Sequence, residues 1–468
     1  MIAVSVVLGA VTLLAGVLGG FAIGEDVQTA ENHAEREALM IAEPNLIVRP
    51  DTEGFVLSIL CDTDASDYFV TDEGAPTALS ERVEKRNAHL TAETGAYITR
   101  IVVPSVYDAA WTNALSGMNE YSLYAADAAE GLSPLLSGGF LRDVSASPYI
   151  RTADAWFDGT VMESLSLYGG QYLISSTVAD ARQNTAVLVY DRTLYERSRT
   201  EEYARTLTAV ALDGEWTLEQ FLVESRGAER KEETVPTAEN ALPELSVAFT
   251  EEETFHGFSF GREDIFPLYV AAGGGFCEGE IVSLSEMQNG IAALAPLAED
   301  TSVIENPDAF TEGATLFTVA TLSEAASMRE RGINIGILPL PKLSVETEYR
   351  AYIDPRGAAM IALPREAADA DKVEYLIYRM AFLSAGYTEP YFIERLAGED
   401  TDMRSILTLI AESAVCDLAG LLGYGEIETL VAESVLSGND RLAMDYYNRK
   451  TLYEKALSIL EKRLTNEE

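Results

Sequence analysis

The sequence predicts an α/β protein of two lobes behind an N-terminal apolar helix. Strand and helix patterns alternate through the first part of the chain. Roughly 440 residues remain outside one apolar terminal stretch, more than a single small core organises. Hydrophobic residues make up 47% of the chain and Tyr occurs 22 times, which argues for a folded globule rather than a disordered polymer.

Met1 to Gly24 carries no charged side chain and is mostly Val, Leu, Ala, Ile and Gly. A helix of this length, at about 1.5 Å per residue, crosses a hydrocarbon core about 30 Å thick. An export signal would normally place Lys or Arg before the apolar run, so the stretch reads better as a membrane anchor than as a cleaved leader. Residues 25–52 follow as a linker. Gly54 to Leu60 reads as a strand, Ala78 to Glu93 as an amphipathic helix, Ala96 to Val103 as a strand and Val106 to Met118 as a helix. That rhythm favours a mostly parallel sheet with helices on both faces. Residues 226–254 are polar and contain proline, the signature of a loop or insertion in the second lobe. Lys372 to Lys462 is nearly all helical in pattern.

Charge narrows the function. Lys plus Arg number 33 against 76 Asp plus Glu, a net charge of −43 spread along the whole chain. Such a surface repels phosphate backbones, so no nucleic-acid partner is expected. Cys61, Cys277 and Cys416 are odd in number and far apart, forming neither a disulfide framework nor a zinc site. His33, His89 and His256 are widely separated and make no metalloprotease spacing. No P-loop occurs, and Ala271 to Phe276 (AAGGGF) reads as a turn after the Tyr269 segment. No catalytic constellation, metal site or cofactor is expected. Asp62 to Glu73 (DTDASDYFVTDE) places Asp62, Asp64, Ser66 and Glu73 at positions 1, 3, 5 and 12 of a calcium loop, but Asp67 stands where the sharp turn needs glycine. It reads as a solvated acidic loop. A pair of glycosidase carboxylates is not singled out by any spacing. Trp111, Tyr121, Tyr124, Trp156, Tyr168, Tyr269 and Tyr352 fall at expected loops and element ends, where stacking faces with polar tips suit sugar rings and other small polar ligands.

These residues also carry a resemblance. Leu165 to Glu196 (LSLYGGQYLISSTVADARQNTAVLVYDRTLYE), followed by Leu212 to Leu222 (LDGEWTLEQFL), resembles the extracellular solute-binding proteins of ABC importers, in their carbohydrate-type lipoprotein subgroup. Ala78 to Gly95, Tyr121 to Ile150, Ile333 to Ile377 and Glu389 to Ile410 resemble further segments of that family, in the same order, so that residues 54 to 430 are spanned. The chain departs from the family at Val17, where a lipobox cysteine would follow Leu14-Ala15-Gly16, and at Asp191-Arg192, where the family has Asn-Lys.

The resemblance implies a type II periplasmic-binding-protein-like fold, with a hinge and an interlobe cleft. The first lobe is then expected over 53–157 plus 333–362, and the second over 158–332 plus 363–468, with crossings near Trp156, Ile333 and Ala359 to Leu363. It implies a non-enzymatic receptor for a small polar solute, a sugar or oligosaccharide, tethered outside the bacterial cytoplasmic membrane and serving ABC permease subunits. The contacts expected in the cleft are Tyr121, Trp156, Asp180, Tyr269, Asp354 and Arg356. Arg356 is equally suited to a salt bridge between lobes. The alternative is an interaction or structural module that kept the fold and lost the ligand.

Overall fold

Val56–Cys61 (β1), Tyr97–Val102 (β2) and Leu123–Asp127 (β3) lie parallel, and Ala359–Ala362 (β12) joins antiparallel, in the order β12-β3-β1-β2. In this computed structural model residues 48–465 are described, apart from 72–76, 119, 180, 199–205, 233–254, 279, 388–390 and 425. The expected apolar helix over Met1 to Gly24 lies outside the described residues. Among those described, no helix is long and apolar enough to cross a membrane. Pro50–Glu468 form one unit, and both sheets belong to it.

Local sequence explains the first sheet. Leu57, Ile59 and Cys61 alternate onto one face of β1 and are fully buried. The helix Ala78–Thr94 starts on a reciprocal cap between Thr77 and Ser80 and stops at Gly95, which takes a left-handed φ of 69°. Ser105 caps the next helix, Val106–Ser116, and Gly117 ends it in the same way.

The second sheet holds Ala186–Asp191 (β4), His256–Phe260 (β5), Val303–Glu305 (β8), Thr315–Thr321 (β9) and Ile335–Leu338 (β10), in the order β10-β4-β9-β5-β8. Its core is aromatic. Phe221 meets the Phe258 ring edge-on at 4.9 Å and the Phe317 ring at 5.5 Å, and Trp216 closes the cluster with no exposed surface. Such contacts add to the roughly 1.5–3 kcal/mol that each large buried apolar side chain contributes. Two short pairs complete the strands: Cys277–Glu278 (β6) with Glu280–Ile281 (β7), and Ala351–Tyr352 (β11) with Ala414–Val415 (β13).

Pairing places the lobe boundaries differently from the expected ones. Ser176 still bridges Phe157, and Ile174 bridges Ile361 of β12, so the chain leaves the first sheet after Ser176 rather than near Trp156. β10 pairs with β4, so Ile333 marks no return to the first sheet. Ala359–Ala362 is a strand of the first sheet and not a crossing; the crossing precedes it at Ile353–Ala358. The helix Ala370–Tyr387 packs on Ala78–Thr94 of the first lobe, whereas Thr401–Glu412 packs on β10 of the second. Arg226 to Glu232, expected in a loop, complete the helix Leu218–Glu232. The C-terminal part is helical as expected, interrupted by β13.

Candidate functional site

Strand direction locates the face where a ligand site belongs. In open α/β sheets, ligands bind beyond the carboxyl ends of the strands. At those ends of β1 and β3 lie Asp62 to Val70 and Asp127 to Glu130, joined by the amino end of β12. In the second sheet β5, β8, β9 and β10 share one direction and β4 runs against them. The corresponding rim is therefore Gly261 to Asp264, Thr321 to Glu324 and the amino end of β4. Two crossing segments, Thr177 to Thr185 and Ile353 to Ala358, run antiparallel and are bridged at Thr185–Ile353.

Polar side chains bind this rim together. Asp62 accepts the Ala65 N–H, capping a short helical turn, and its second oxygen accepts the Asp127 N–H at 2.9 Å. The acidic loop thus spends its first carboxylate on the backbone. Glu73 of the calcium-like pattern lies outside the described residues, among which no metal-holding cluster occurs. Asp127 accepts from Glu130 and from Gly357 of the second crossing. Burial pushes its carboxyl above the usual range, although these two amides pull the other way. Gln183 of the first crossing donates to the Tyr68 hydroxyl at 2.7 Å, and Asn184 donates to the carbonyls of Asp354 and Arg356.

Asp354 and Arg356 are brought together, on each other. Arg356 Nε and Nη2 donate to the two carboxylate oxygens of Asp354 at 2.9 and 2.8 Å, and Nη2 also meets Glu428 at 3.1 Å. The bidentate bond to Asp354 holds the guanidinium proton well above its ordinary range. Glu428 opens the helix Ile427–Ser437, which packs on second-lobe helices, and accepts from the Tyr352 hydroxyl. Of the two roles expected for Arg356, this geometry is that of a brace between the crossing and the second lobe.

Trp156 lies beside the start of the first crossing, where its carbonyl accepts the Thr177 N–H. Its ring packs edge-on against Tyr378 at 5.6 Å and Phe382 at 5.0 Å. The buried indole Nε1 has no hydrogen-bond partner among the described residues. Next to it Asp158 accepts from Ser175 Oγ at 2.6 Å and pairs with Arg182 at 3.0 Å.

The remaining expected contacts do not join this group. Tyr121 precedes β3, at the amino end of the sheet and so opposite the rim. Tyr269 is fully buried in the second lobe and its hydroxyl donates to the Gly275 carbonyl at 3.1 Å. Asp180 lies outside the described residues. Sequence reasoning missed Tyr68, Asp127, Gln183, Asn184, Asp264 and Glu428, since no motif or spacing distinguishes them among so many polar residues. Asp264, at the end of β5, has its carboxyl pushed up to about 7, chiefly by burial and further by Glu263 and Glu324.

The group contains donors, acceptors and an aromatic face, and its Ser175 and Tyr352 hydroxyls are held by the Asp158 and Glu428 carboxylates. Of the three thiols, burial pushes Cys61 up to about 11 and raises Cys416 further still.

No protein-family model matches the chain, and no curated protein does. Solved structures do. The chain is similar to a cyclic α-maltosyl-1,6-maltose binding protein from Arthrobacter globiformis, at 10% identity and a TM-score of 0.57, over 88% of this chain and 98% of that one. It is similar to the GacH receptor of Streptomyces glaucescens, solved alone and with acarbose, at 14% identity and a TM-score of 0.53, over 86% and 99%. UgpB from Mycobacterium tuberculosis, solved with glycerophosphocholine, matches at 12% identity and a TM-score of 0.53, over 87% and 99%. The chain therefore has the mixed α/β fold of periplasmic-binding-protein-like structures.

Proposed function

We propose that the chain is an extracytoplasmic receptor that captures a small polar solute, a sugar or oligosaccharide, for an ABC importer, and that it is not an enzyme. The observation that carries this reading is the shared fold over nearly the whole length of receptors described with acarbose and with a cyclic maltosyl-maltose. The rim supports it: carboxylates, amides and an indole N–H with no acceptor among the described residues suit ligand hydroxyls, and capture needs no activated nucleophile.

The type II arrangement then has a first lobe of 53–176 plus 358–387 and a second lobe built around 186–338 and 401–437. The segments 177–185 and 353–358 serve as hinge strands, and closure of the lobes would enclose the solute. Trp156 is the ligand contact and the Asp354–Arg356–Glu428 group braces the hinge. Met1 to Gly24 tethers the receptor to the outer face of the membrane, where permease subunits collect the solute.

A thermal-unfolding screen of the full chain tests the reading, because a solute that binds only the folded state raises the midpoint further as its concentration rises. Maltooligosaccharides, raffinose, acarbose and glycerophosphocholine form the panel. A concentration-dependent rise with one of the sugars is expected; a rise with glycerophosphocholine alone would move the solute class away from sugars. A folded protein that responds to none would be an interaction module instead.

A further inference from the structure

A polar cavity lies at the end of the first sheet opposite the rim. Residues 140–142 and 363–365 pair in a short ladder beyond the carboxyl end of β12, which runs against β3, so this region is at the opposite end of the first sheet. There a cavity of about 290 Å³ is lined by Leu141, Arg142, Asp143, Tyr172, Arg365 and Leu464. Tyr172 is only 6% exposed, and its hydroxyl has no hydrogen-bond partner among the described residues. The walls hold their place through glycines. A Cβ at Gly170 would strike the Tyr172 hydroxyl at 2.7 Å, and Gly139, beside Arg365, takes a left-handed φ of +74° that favours glycine.

Charge at this cavity is balanced. Arg142 Nε is tied to Glu374 at 3.1 Å, leaving its terminal nitrogens uncommitted, and Arg365 donates to the carbonyls of Gly139 and Arg463. One oxygen of Asp143 accepts the N–H groups of Ser145 and Gln171, and the other accepts none. Glu374 neutralises Arg142; Arg365 and Asp143 are the other charges of the lining, and among the described residues the uncommitted groups are the Arg142 terminal nitrogens, one Asp143 oxygen and the Tyr172 phenol. Such a set matches hydroxyls that donate and accept together, rather than a net anion, which the surrounding charge of −43 would also repel. The volume lies at the lower end of the ~300–1,000 Å³ typical of small-molecule sites. We propose that this cavity is an accessory site on the first lobe for a neutral polyhydroxylated ligand, a single sugar unit. The site is independent of the solute capture proposed for the rim.

The test is a titration of the full chain with methyl α-D-glucopyranoside, methyl β-D-galactopyranoside and methyl α-D-mannopyranoside, followed by saturation-transfer NMR, on wild type, Tyr172→Phe, Asp143→Asn and Trp156→Ala. Asp143→Asn keeps the amide acceptor for Ser145 and Gln171 at an exposed position, and unchanged thermal unfolding confirms its fold. Millimolar binding of one glycoside is expected, weakened about tenfold or more by Tyr172→Phe and by Asp143→Asn, and retained in Trp156→Ala. Binding of none of the three, binding indifferent to both cavity variants, binding lost only with Trp156→Ala, or displacement by inorganic phosphate would each overturn the proposal. Failure here leaves the thermal-unfolding screen for rim binding unaffected.

Discussion

Asp158 stands where the first sheet hands the chain to its first crossing, and it has almost no contact with solvent. Its partners, Ser175 Oγ and the Arg182 guanidinium, lie on either side of the point of departure. Removing one member of such a pair strands the other charge in a low-dielectric site. Asp158→Ala should therefore lower stability by about 3–5 kcal/mol in denaturant titration, whereas a loss within the range of exposed pairs would show that Arg182 finds water. Asp264 makes stability depend on pH. Its folded-state pKa of about 7 stands above the ordinary carboxyl value of 3.8, so its contribution to stability is complete below that value and is lost as pH rises through 7. Asp264→Asn should raise the unfolding midpoint at about pH 8 and change it much less at about pH 5. Equal effects at both pH values would place the carboxyl in water.

At the scale of elements, β10 shows how tightly the second sheet is built. Gly336 lies opposite Tyr190 of β4, and a Cβ there would collide with the tyrosine ring. Gly336→Ala is expected to cost about 1–3 kcal/mol, read as a lower urea midpoint; an unchanged midpoint would mean that the ring moves freely. The strands and helices of the first lobe were legible because their apolar periods and caps are local: Ala78 to Glu93 and Val106 to Met118 were placed within a residue or two of their observed ends. The sheet that β10 joins was not legible, since Ile335–Leu338 is uniformly buried and any apolar neighbour would satisfy it. Tyr269 failed for a related reason. The glycines after it suggested a loop-end aromatic, but Gly274 and Gly290 are small because the ring lies over them. Conversely, nothing in the sequence marks Gln183 or Asn184, whose roles come from segments more than a hundred residues away.

Over the whole molecule, the net charge of −43 imposes a self-repulsion that the folded state concentrates. Added sodium chloride should raise the unfolding midpoint between low ionic strength and about 0.15 M, where the screening length falls to about 8 Å; a falling midpoint would mean that specific ion pairs outweigh the repulsion. Under the proposed function, the two sheets, the two antiparallel crossings bound to each other through Asn184 and the brace at Arg356 form a clamp. In the proposed receptor this clamp closes on a polar solute held against Trp156. Calorimetric titration of the full chain with the best sugar from the unfolding screen tests it most directly. The account predicts a single-site isotherm that Trp156→Ala weakens by about tenfold or more; no heat at any concentration, or an isotherm unchanged by that substitution, would contradict it.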